Sequence, residues 1–160
     1  MLSNSNAAER NAIFDVDPKP GVTTGKRLGK WQCAVAEMFV GDYLIVPLTT
    51  KKMLKSEGYM MNNCAREYRY LCEAMQYAIF SIRNRSGERL ATLGLARAEG
   101  YWSLDQCFGP SNSEVLEETV TYLDEEEILQ TESHLTEMYY VAQEVARLMN
   151  RNDGSLPQLP

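Results

Sequence analysis

The sequence contains a single histidine, His134, among its 160 residues. A zinc site is normally built from paired cysteine and histidine ligands, and the four cysteines show no C-x-x-C spacing. The chain also has neither a G-x-G-x-x-G nor a GK[ST] loop that could cradle phosphate groups. These absences argue against metal and nucleotide chemistry, and we predict no metal and no cofactor. The cysteines are Cys33, Cys64, Cys72 and Cys107.

Long apolar runs are also missing, since no window approaches the roughly 20 apolar residues of a membrane helix. The N-terminal sequence MLSNSNAAERNAIFDVD has no basic start followed by an apolar core, so it does not resemble a secretory leader. We therefore predict a cytoplasmic protein, without membrane attachment, whose cysteines are reduced and buried. A hydrophobic content of 44% with 24% charged residues is typical of a globular domain.

The second half of the sequence contains a long segment without lysine or arginine. Residues 98–146 contain 12 Asp and Glu and no Lys or Arg, whereas residues 1–97 contain 14 Lys and Arg and 9 Asp and Glu. A solvated helical face is one explanation. The other is a negative surface that binds a partner protein with a basic surface. The candidate partner-binding residues are Glu114, Glu117, Glu118, Asp124, Glu125, Glu126, Glu127 and Glu132.

Composition divides the chain into three parts. Residues 1–25 are polar, contain Pro18, Pro20 and Gly21, and predict a flexible N-terminal arm. Residues 26–152 predict one domain, and residues 153–160 predict a short tail.

Alternating apolar residues predict strands at 77–83, 89–97 and 101–108, joined by short turns into a three-stranded antiparallel meander. The apolar run 42–47 is a candidate additional strand.

Helical spacing predicts the remaining elements. A helix is expected over 27–40, with a strand as the alternative for 35–40, and a short helix from Thr49 or Thr50 to Leu54, ended by Gly58. Further helices are expected over 60–76 and 114–122. Asp124 and Glu127 have capping-box spacing and predict a long helix over 125–150, buried through Ile128, Leu135, Met138, Ala142, Val145 and Met149. The result is an α+β domain with helices on one face of the sheet.

Three segments occur in an order that points to a known family. They are IVPLTTKKMLKSEGYMMNNCAREY, FSIRNRSGERLATLGL and WSLDQCFGPSN, between about residues 45 and 112. In this order they resemble the PcfJ-like proteins of plasmids, phages and other bacterial mobile elements. The matching positions are Cys64, Tyr68, Ser81, Arg83, Gly87, Thr92, Trp102, Gln106, Gly109 and Asn112.

Two positions depart from the pattern that the resemblance implies. Asn63 stands where the family has a histidine, and Gly94 stands where it has a carboxylate. Asparagine has no useful pKa and glycine has no side chain, so the two family positions most able to transfer a proton or bind a metal are both missing. The resemblance therefore implies a degenerate, non-enzymatic member of a family with a role in conjugation.

The polar residues of these segments form a candidate pocket: Asn63, Cys64, Tyr68, Ser81, Arg83, Gln106 and Asn112. Arg83 could hold an anion or a peptide carboxylate there. Alternatively, the amide side chains satisfy backbone groups in loops and caps. A nucleophilic role for Cys64 would require His134, which is far away in sequence.

The leading prediction is an accessory protein of a mobile element that binds another protein through an acidic helical face. Inhibition of a host nucleic-acid-binding defence system is one form that such binding could take, because such systems carry basic channels. An enzyme with a pocket around Cys64, Tyr68 and Arg83 is one alternative. A nucleic-acid-binding module is the other, with the basic and aromatic residues Lys26, Arg27, Lys30, Trp31, Tyr43, Lys51, Lys52 and Lys55. The oligomeric state stays open.

Overall fold

The computed structural model describes residues 29–154, which contain a mixed set of strands and helices. The predicted arm at 1–25, the residues from 26 to 28 and most of the predicted tail lie outside the described residues. The strands are β1 (Met38–Val40), β2 (Tyr43–Leu48), β3 (Tyr77–Arg83), β4 (Arg89–Ala98), β5 (Tyr101–Phe108), β6 (Glu117–Leu123) and β7 (Leu129–Leu135). The helices are α1 (Lys51–Met61), α2 (Arg69–Glu73) and α3 (Glu137–Asn152), with 3-10 turns at Ala65–Tyr68 and Pro110–Asn112.

The first five strands form one antiparallel sheet in the order β1-β2-β3-β4-β5, so each strand pairs with its neighbour in sequence. This arrangement confirms the α+β class. The three predicted strands are β3, β4 and β5, and the candidate strand at 42–47 is β2, which pairs with β3. The sheet is therefore larger than the predicted meander, and α1 and α2 lie in the long connection from β2 to β3.

Helices cover both faces of the sheet, not one as predicted. Because side chains alternate along a strand, Phe80 and Ile82 pack in the same buried cluster as Val145 of α3. Tyr77 and Ile79 pack on the opposite side in a second cluster. The second cluster also contains Leu54 of α1 and Cys72 of α2.

The prediction of a helix over 27–40 is wrong in the described part of that range. Residues 31–37 are irregular, and the strand alternative is correct at its end, where Met38–Val40 forms β1. The strand at this end follows from the tight connection at Gly41 and Asp42, in which Gly41 has a φ of +57° and returns the chain into β2.

The predicted helical boundaries around Gly58 are also wrong. α1 continues through Gly58 to Met61 and ends at Asn62, which adopts the left-handed conformation with φ 53°. The range 60–76 is therefore broken into the end of α1, a 3-10 turn and α2. Gly58 has a packing role, since a Cβ there would lie 3.0 Å from the carbonyl oxygen of Asn63.

The helices predicted over 114–122 and 125–150 are largely replaced by a β-hairpin. β6 and β7 pair in continuous register from Glu117 with Leu135 to Leu123 with Leu129, and the chain becomes helical only at Glu137. Thr136 caps α3 by accepting the backbone N–H of Tyr139 at 3.4 Å. Asp124 and Glu127 thus belong to the turn between β6 and β7 and do not form a capping box.

The apolar face predicted for a helix over 125–150 is buried only in the part of that range that is helical. Met138, Ala142, Val145 and Met149 are buried. Ile128 and Leu135, which the same pattern placed in the core, are 52% and 43% exposed. In the described part of the chain, none of the helices combines the length and the apolar character needed to cross a bilayer.

Candidate functional site

A set of buried and half-buried polar side chains lies between the sheet and the segment from α1 to the following 3-10 turn. We call it the polar cluster: Glu57, Asn63, Tyr68, Tyr77, Arg89, Thr92 and Gln106. Glu57 of α1 is fully buried. One of its carboxylate oxygens accepts from the Nε of Arg89 at 2.8 Å, and the other accepts from the Oγ1 of Thr92 at 2.6 Å. The charge of Glu57 is thus paired across the helix–sheet contact, as a buried charge requires.

Asn63 belongs to the same network. Its Nδ2 donates to the Oγ1 of Thr92 at 3.1 Å, and its Oδ1 accepts from the backbone N–H of Ala65 at 3.0 Å. Asn63 therefore fixes the loop after α1 to strand β4. This is the alternative in which an amide satisfies structural groups, and it accounts for the burial of Asn63.

Gln106 connects two stacked tyrosines. Its Nε2 donates to the hydroxyl oxygens of Tyr68 at 2.9 Å and Tyr77 at 3.0 Å, and the two rings lie 4.6 Å apart. The hydroxyl of Tyr77 donates to the Oδ2 of Asp105 at 2.7 Å. Burial, followed by this hydrogen bond to Asp105, raises the pKa of Tyr77, so its hydroxyl stays protonated.

Gly94 leaves the space that Tyr77 uses. A Cβ at position 94 would overlap the Tyr77 hydroxyl oxygen and ring edge. The position at which the resemblance implies a carboxylate is therefore filled by the hydroxyl of a tyrosine from the neighbouring strand. Any side chain at position 94 would have to displace Tyr77 from Asp105 and Gln106.

Ser81 and Arg83 occupy the same edge of the cluster. The Nε of Arg83 donates to the Oγ of Ser81 at 3.0 Å, and Ser81 lies opposite Thr92 in the β3–β4 register. Ser81 is fully buried, whereas Arg83 is half-buried. The guanidinium group predicted to hold an anion thus makes a hydrogen bond with its own strand.

The last two predicted pocket residues lie at the ends of neighbouring loops. Cys64 is buried and precedes the 3-10 turn at Ala65–Tyr68. Asn112 closes the 3-10 turn after β5 with a φ of +60°. The side-chain oxygens of Asn112 and Gln106 are buried and lack a hydrogen-bond partner within residues 29–154. The seven predicted pocket residues therefore lie on one side of the sheet, but most of their polar atoms form hydrogen bonds with other groups of the protein.

The cysteine chemistry considered from the sequence gains no support from this arrangement. His134 lies on the exposed strand β7 beside Glu132, at 3.3 Å, while Cys64 is buried beneath the sheet. All four cysteines are free thiols. Burial raises the pKa of Cys72 and Cys107 to about 12, so both remain protonated near neutral pH. Among the described residues, no group of three or more His, Cys, Asp or Glu side chains could hold a metal ion.

Glu57, Arg89, Tyr77 and Asp105 of this network were not predicted from the sequence. Glu57 could have been found, because Leu54, Glu57 and Met61 follow helical spacing and place a charge on an apolar face. The tyrosine contact could not, since Tyr77 of β3 reaches Asp105 and Gln106 of β5 across Gly94 of the intervening strand β4.

The predicted partner-binding acids lie in and beside the hairpin of β6 and β7, here called the acidic hairpin (117–135). Glu117 and Glu118 belong to β6, Glu132 belongs to β7, and the four acids 124–127 form the connecting turn. Glu114 precedes β6 and accepts the backbone N–H of Leu116 at 2.7 Å. These acids therefore lie on and beside a β-hairpin, and the prediction that they form a helical face is wrong.

The turn of the hairpin is fixed by Asp124. Its Oδ1 accepts the backbone N–H groups of Glu126 and Ile128, both at 2.9 Å, and its Oδ2 accepts from the Nε2 of Gln130 at 2.8 Å. These bonds, the one to Ile128 first, lower the pKa of the Asp124 carboxyl. The turn leaves Glu125, Glu126 and Glu127 exposed at the tip.

Apolar side chains are exposed on the same hairpin. Leu123 is 63% exposed and Leu129 is 67% exposed, next to the acidic turn. The other large exposed apolar residues of this segment are Val120, Tyr122, Ile128 and Leu135. By register, Leu123, Leu129 and Leu135 lie on one face of the hairpin, and Val120 and Tyr122 lie on the other. Exposed large apolar residues grouped in this way are typical of a contact with another macromolecule.

The basic residues of the nucleic-acid alternative lie near only one of its two aromatic residues, since Trp31 is hydrogen-bonded through its backbone to Thr49, just before α1, and Tyr43 is not on that side of the sheet. Lys30 and Lys52 are exposed and Lys51 and Lys55 are half-buried, while Lys26 and Arg27 lie outside the described residues. Trp31 packs against the cluster on the α1 side of the sheet, and Tyr43 packs against the cluster on the α3 side. The two rings therefore do not form one stacking platform.

Comparison with known proteins identifies the family. A family model described as PcfJ-like protein matches residues 17–123, about two thirds of the chain. The chain belongs to the PcfJ-like protein family. No curated protein and no solved structure matches it at a significant level. The match ends with β6, so the acidic turn and β7 lie beyond the matched residues.

Proposed function

We propose that this PcfJ-like protein is a non-enzymatic accessory protein of a bacterial mobile element, which binds a basic surface of another protein through the acidic hairpin. The observation that carries this proposal is the coincidence of charge and exposed apolar area on one projecting hairpin. Residues 114–132 contain eight Asp and Glu and no Lys or Arg. Every residue of both strands is exposed except Gln130, which is half-buried.

The physical logic has two parts. Exposed carboxylates of one sign attract a basic partner over about one Debye length, which is near 8 Å at physiological ionic strength. The apolar side chains Leu123, Ile128 and Leu129 then supply short-range contact once the partner has arrived. A nucleic-acid-binding protein, such as a component of a host defence system, is a partner class with the required positive surface.

The closed polar cluster supports a non-enzymatic role. Asn63 and Gly94 occupy the two positions where the resemblance implies groups able to transfer protons, and Tyr77 fills the space beside Gly94. The polar groups around them are engaged with each other through Glu57, Thr92 and Gln106. The cluster thus has the properties expected of a scaffold that holds α1 on the sheet.

The test is capture of partners from a host lysate, followed by binding kinetics with the purified partner. Replacing Glu125, Glu126 and Glu127 together by Gln should lower the association rate about tenfold at low salt and much less at high salt. The matched control replaces Glu37, Glu88 and Glu99 by Gln, which changes the net charge equally at exposed positions outside the hairpin. A partner whose association rate ignores the tip substitutions, or responds equally to both sets, contradicts the proposal.

A further inference from the structure

The two outer edges of the acidic hairpin present unpaired backbone groups. In an antiparallel pair, alternate residues direct their N–H and C=O groups toward the neighbouring strand, and the others direct them outward. The N–H of Asp124 donates to the carbonyl of Ile128, and the N–H of Thr136 donates to the carbonyl of Leu116. These bonds set the pairing phase, so in β7 the outward backbone groups belong to Leu129, Thr131, Ser133 and Leu135.

The edge of β7 is the more open of the two. At the start of β6, the carboxylate of Glu114 accepts the backbone N–H groups of Leu116 and Glu117. The outward groups of β7 have no such acceptor or donor in the described part of the chain, where the hairpin forms a two-stranded sheet of its own. Such an isolated hairpin is marginally stable until a further strand or surface covers it.

Several devices that normally prevent edge pairing are missing from this hairpin. Residues 117–135 contain no lysine, arginine, proline or glycine, and the β6–β7 register runs without a bulge. Proteins usually protect an exposed edge with inserted lysine or proline, a bulge or a covering loop. Instead, β7 has an exposed leucine at each end, Leu129 and Leu135. Both side chains would contact those of a strand added beside β7.

Charge decides between the occupants that could add to this edge. The hairpin carries seven Asp and Glu without a cation, so pairing with a second copy would bring fourteen carboxylates together. An extended segment with lysine or arginine would instead bring compensating charge. Resting on the proposed function, we propose that the β7 edge binds an extended basic segment of the partner protein by β-strand addition.

Amide hydrogen exchange on the ¹⁵N-labelled full chain tests the mode of binding. The probe is a nine-residue peptide of alternating lysine and valine, added at low salt. Exchange at the outward amides of Thr131 and Ser133 should slow at least tenfold when the peptide binds. The amides of Thr119 and Thr121, which face outward on β6, should be unchanged and serve as the internal control.

A backbone substitution provides the second arm. Thr131→Pro removes one outward N–H without touching the bonds between β6 and β7, and proline is tolerated at such an edge position. We expect at least tenfold weaker peptide binding, whereas the matched variant Thr131→Val, which keeps the N–H, should stay within twofold. If Thr131→Pro unfolds the hairpin, the same test is made with the unaltered protein and a peptide N-methylated at alternate residues. This peptide cannot form the backbone hydrogen bonds of an added strand and should not bind.

The outcomes separate this inference from the proposed function. Binding that weakens with the Gln substitutions at 125–127 but survives Thr131→Pro without edge protection supports the proposed function and overturns strand addition. Peptide binding that responds to neither overturns both. Edge protection that develops without peptide as protein concentration rises assigns β7 to a second copy and also overturns the inference.

Discussion

The sheet with its covering helices and the acidic hairpin use polar residues in opposite ways. Around the sheet, the buried carboxylate of Glu57 is paired with the half-buried Arg89, and apolar side chains are enclosed on both faces. On the hairpin, carboxylates and large apolar side chains are exposed together. The difference teaches that the sheet and its helices bury their own apolar surface, whereas within residues 29–154 the hairpin leaves its apolar side chains exposed.

The largest difference between the two parts should appear on removing a carboxylate from each. Glu57→Ala leaves Arg89 and Thr92 without their acceptor in a buried place, so we expect a loss of about 3 kcal/mol in the free energy of unfolding. Glu125→Ala at the exposed tip should cost less than about 0.5 kcal/mol. Urea unfolding of both variants measures this contrast, and equal losses would contradict it.

A side chain at position 94 should be harmful in spite of its small size. Gly94→Ala places a Cβ against the Tyr77 hydroxyl, and overpacking of this kind costs about 1–3 kcal/mol. Removing the hydroxyl with Tyr77→Phe should relieve part of the clash. The double variant should therefore lose less stability than the sum of the two single variants, as a double-mutant cycle measures. Additive losses would mean that Tyr77 does not occupy this space.

The smallest expected effect concerns pH and the hairpin turn. The folded turn lowers the pKa of Asp124 below its ordinary value of 3.8. Its stabilising effect is therefore fully present above that pH and is lost as the pH falls through the lower, folded-state pKa. The amide resonances of Glu126 and Ile128 should move toward disordered positions in this acidic range. In Asp124→Asn, which keeps an acceptor oxygen without a titrating carboxyl, they should not show this transition.

How much could be predicted from sequence differs between the two parts for physical reasons. Strands β3, β4 and β5 alternate apolar residues and are bounded by turn residues, so their periodicity is clear. In the hairpin, Asp124-Glu125-Glu126-Glu127 fits a helix start as well as a turn, and the connection contains no glycine or proline to separate the two. The pairing of β6 with β7 decides between them, and it joins residues far apart in sequence, such as Glu117 and Leu135, so it is not visible in local spacing.

The polar cluster was only half visible in the sequence. The family pattern brought Asn63, Ser81 and Gln106 to attention, and these residues do lie on one side of the sheet. Their partners Glu57, Arg89 and Tyr77 come from elements whose packing fixes the distances. Several residues of the cluster could therefore be predicted from the sequence, but the hydrogen bonds between them could not.

Removal of the acidic hairpin tests the central claim most directly. Glu117 and Leu135 lie opposite each other, so a short Gly-Ser link can replace residues 118–134 without stretching the rest of the chain. Circular dichroism should show an intact fold with a melting temperature within a few degrees of the full chain, because the hairpin contributes little to either core. We predict that this variant captures no partner from a lysate in which the full chain does. Capture of the same partner by the folded variant would contradict the account and place the contact elsewhere on the molecule.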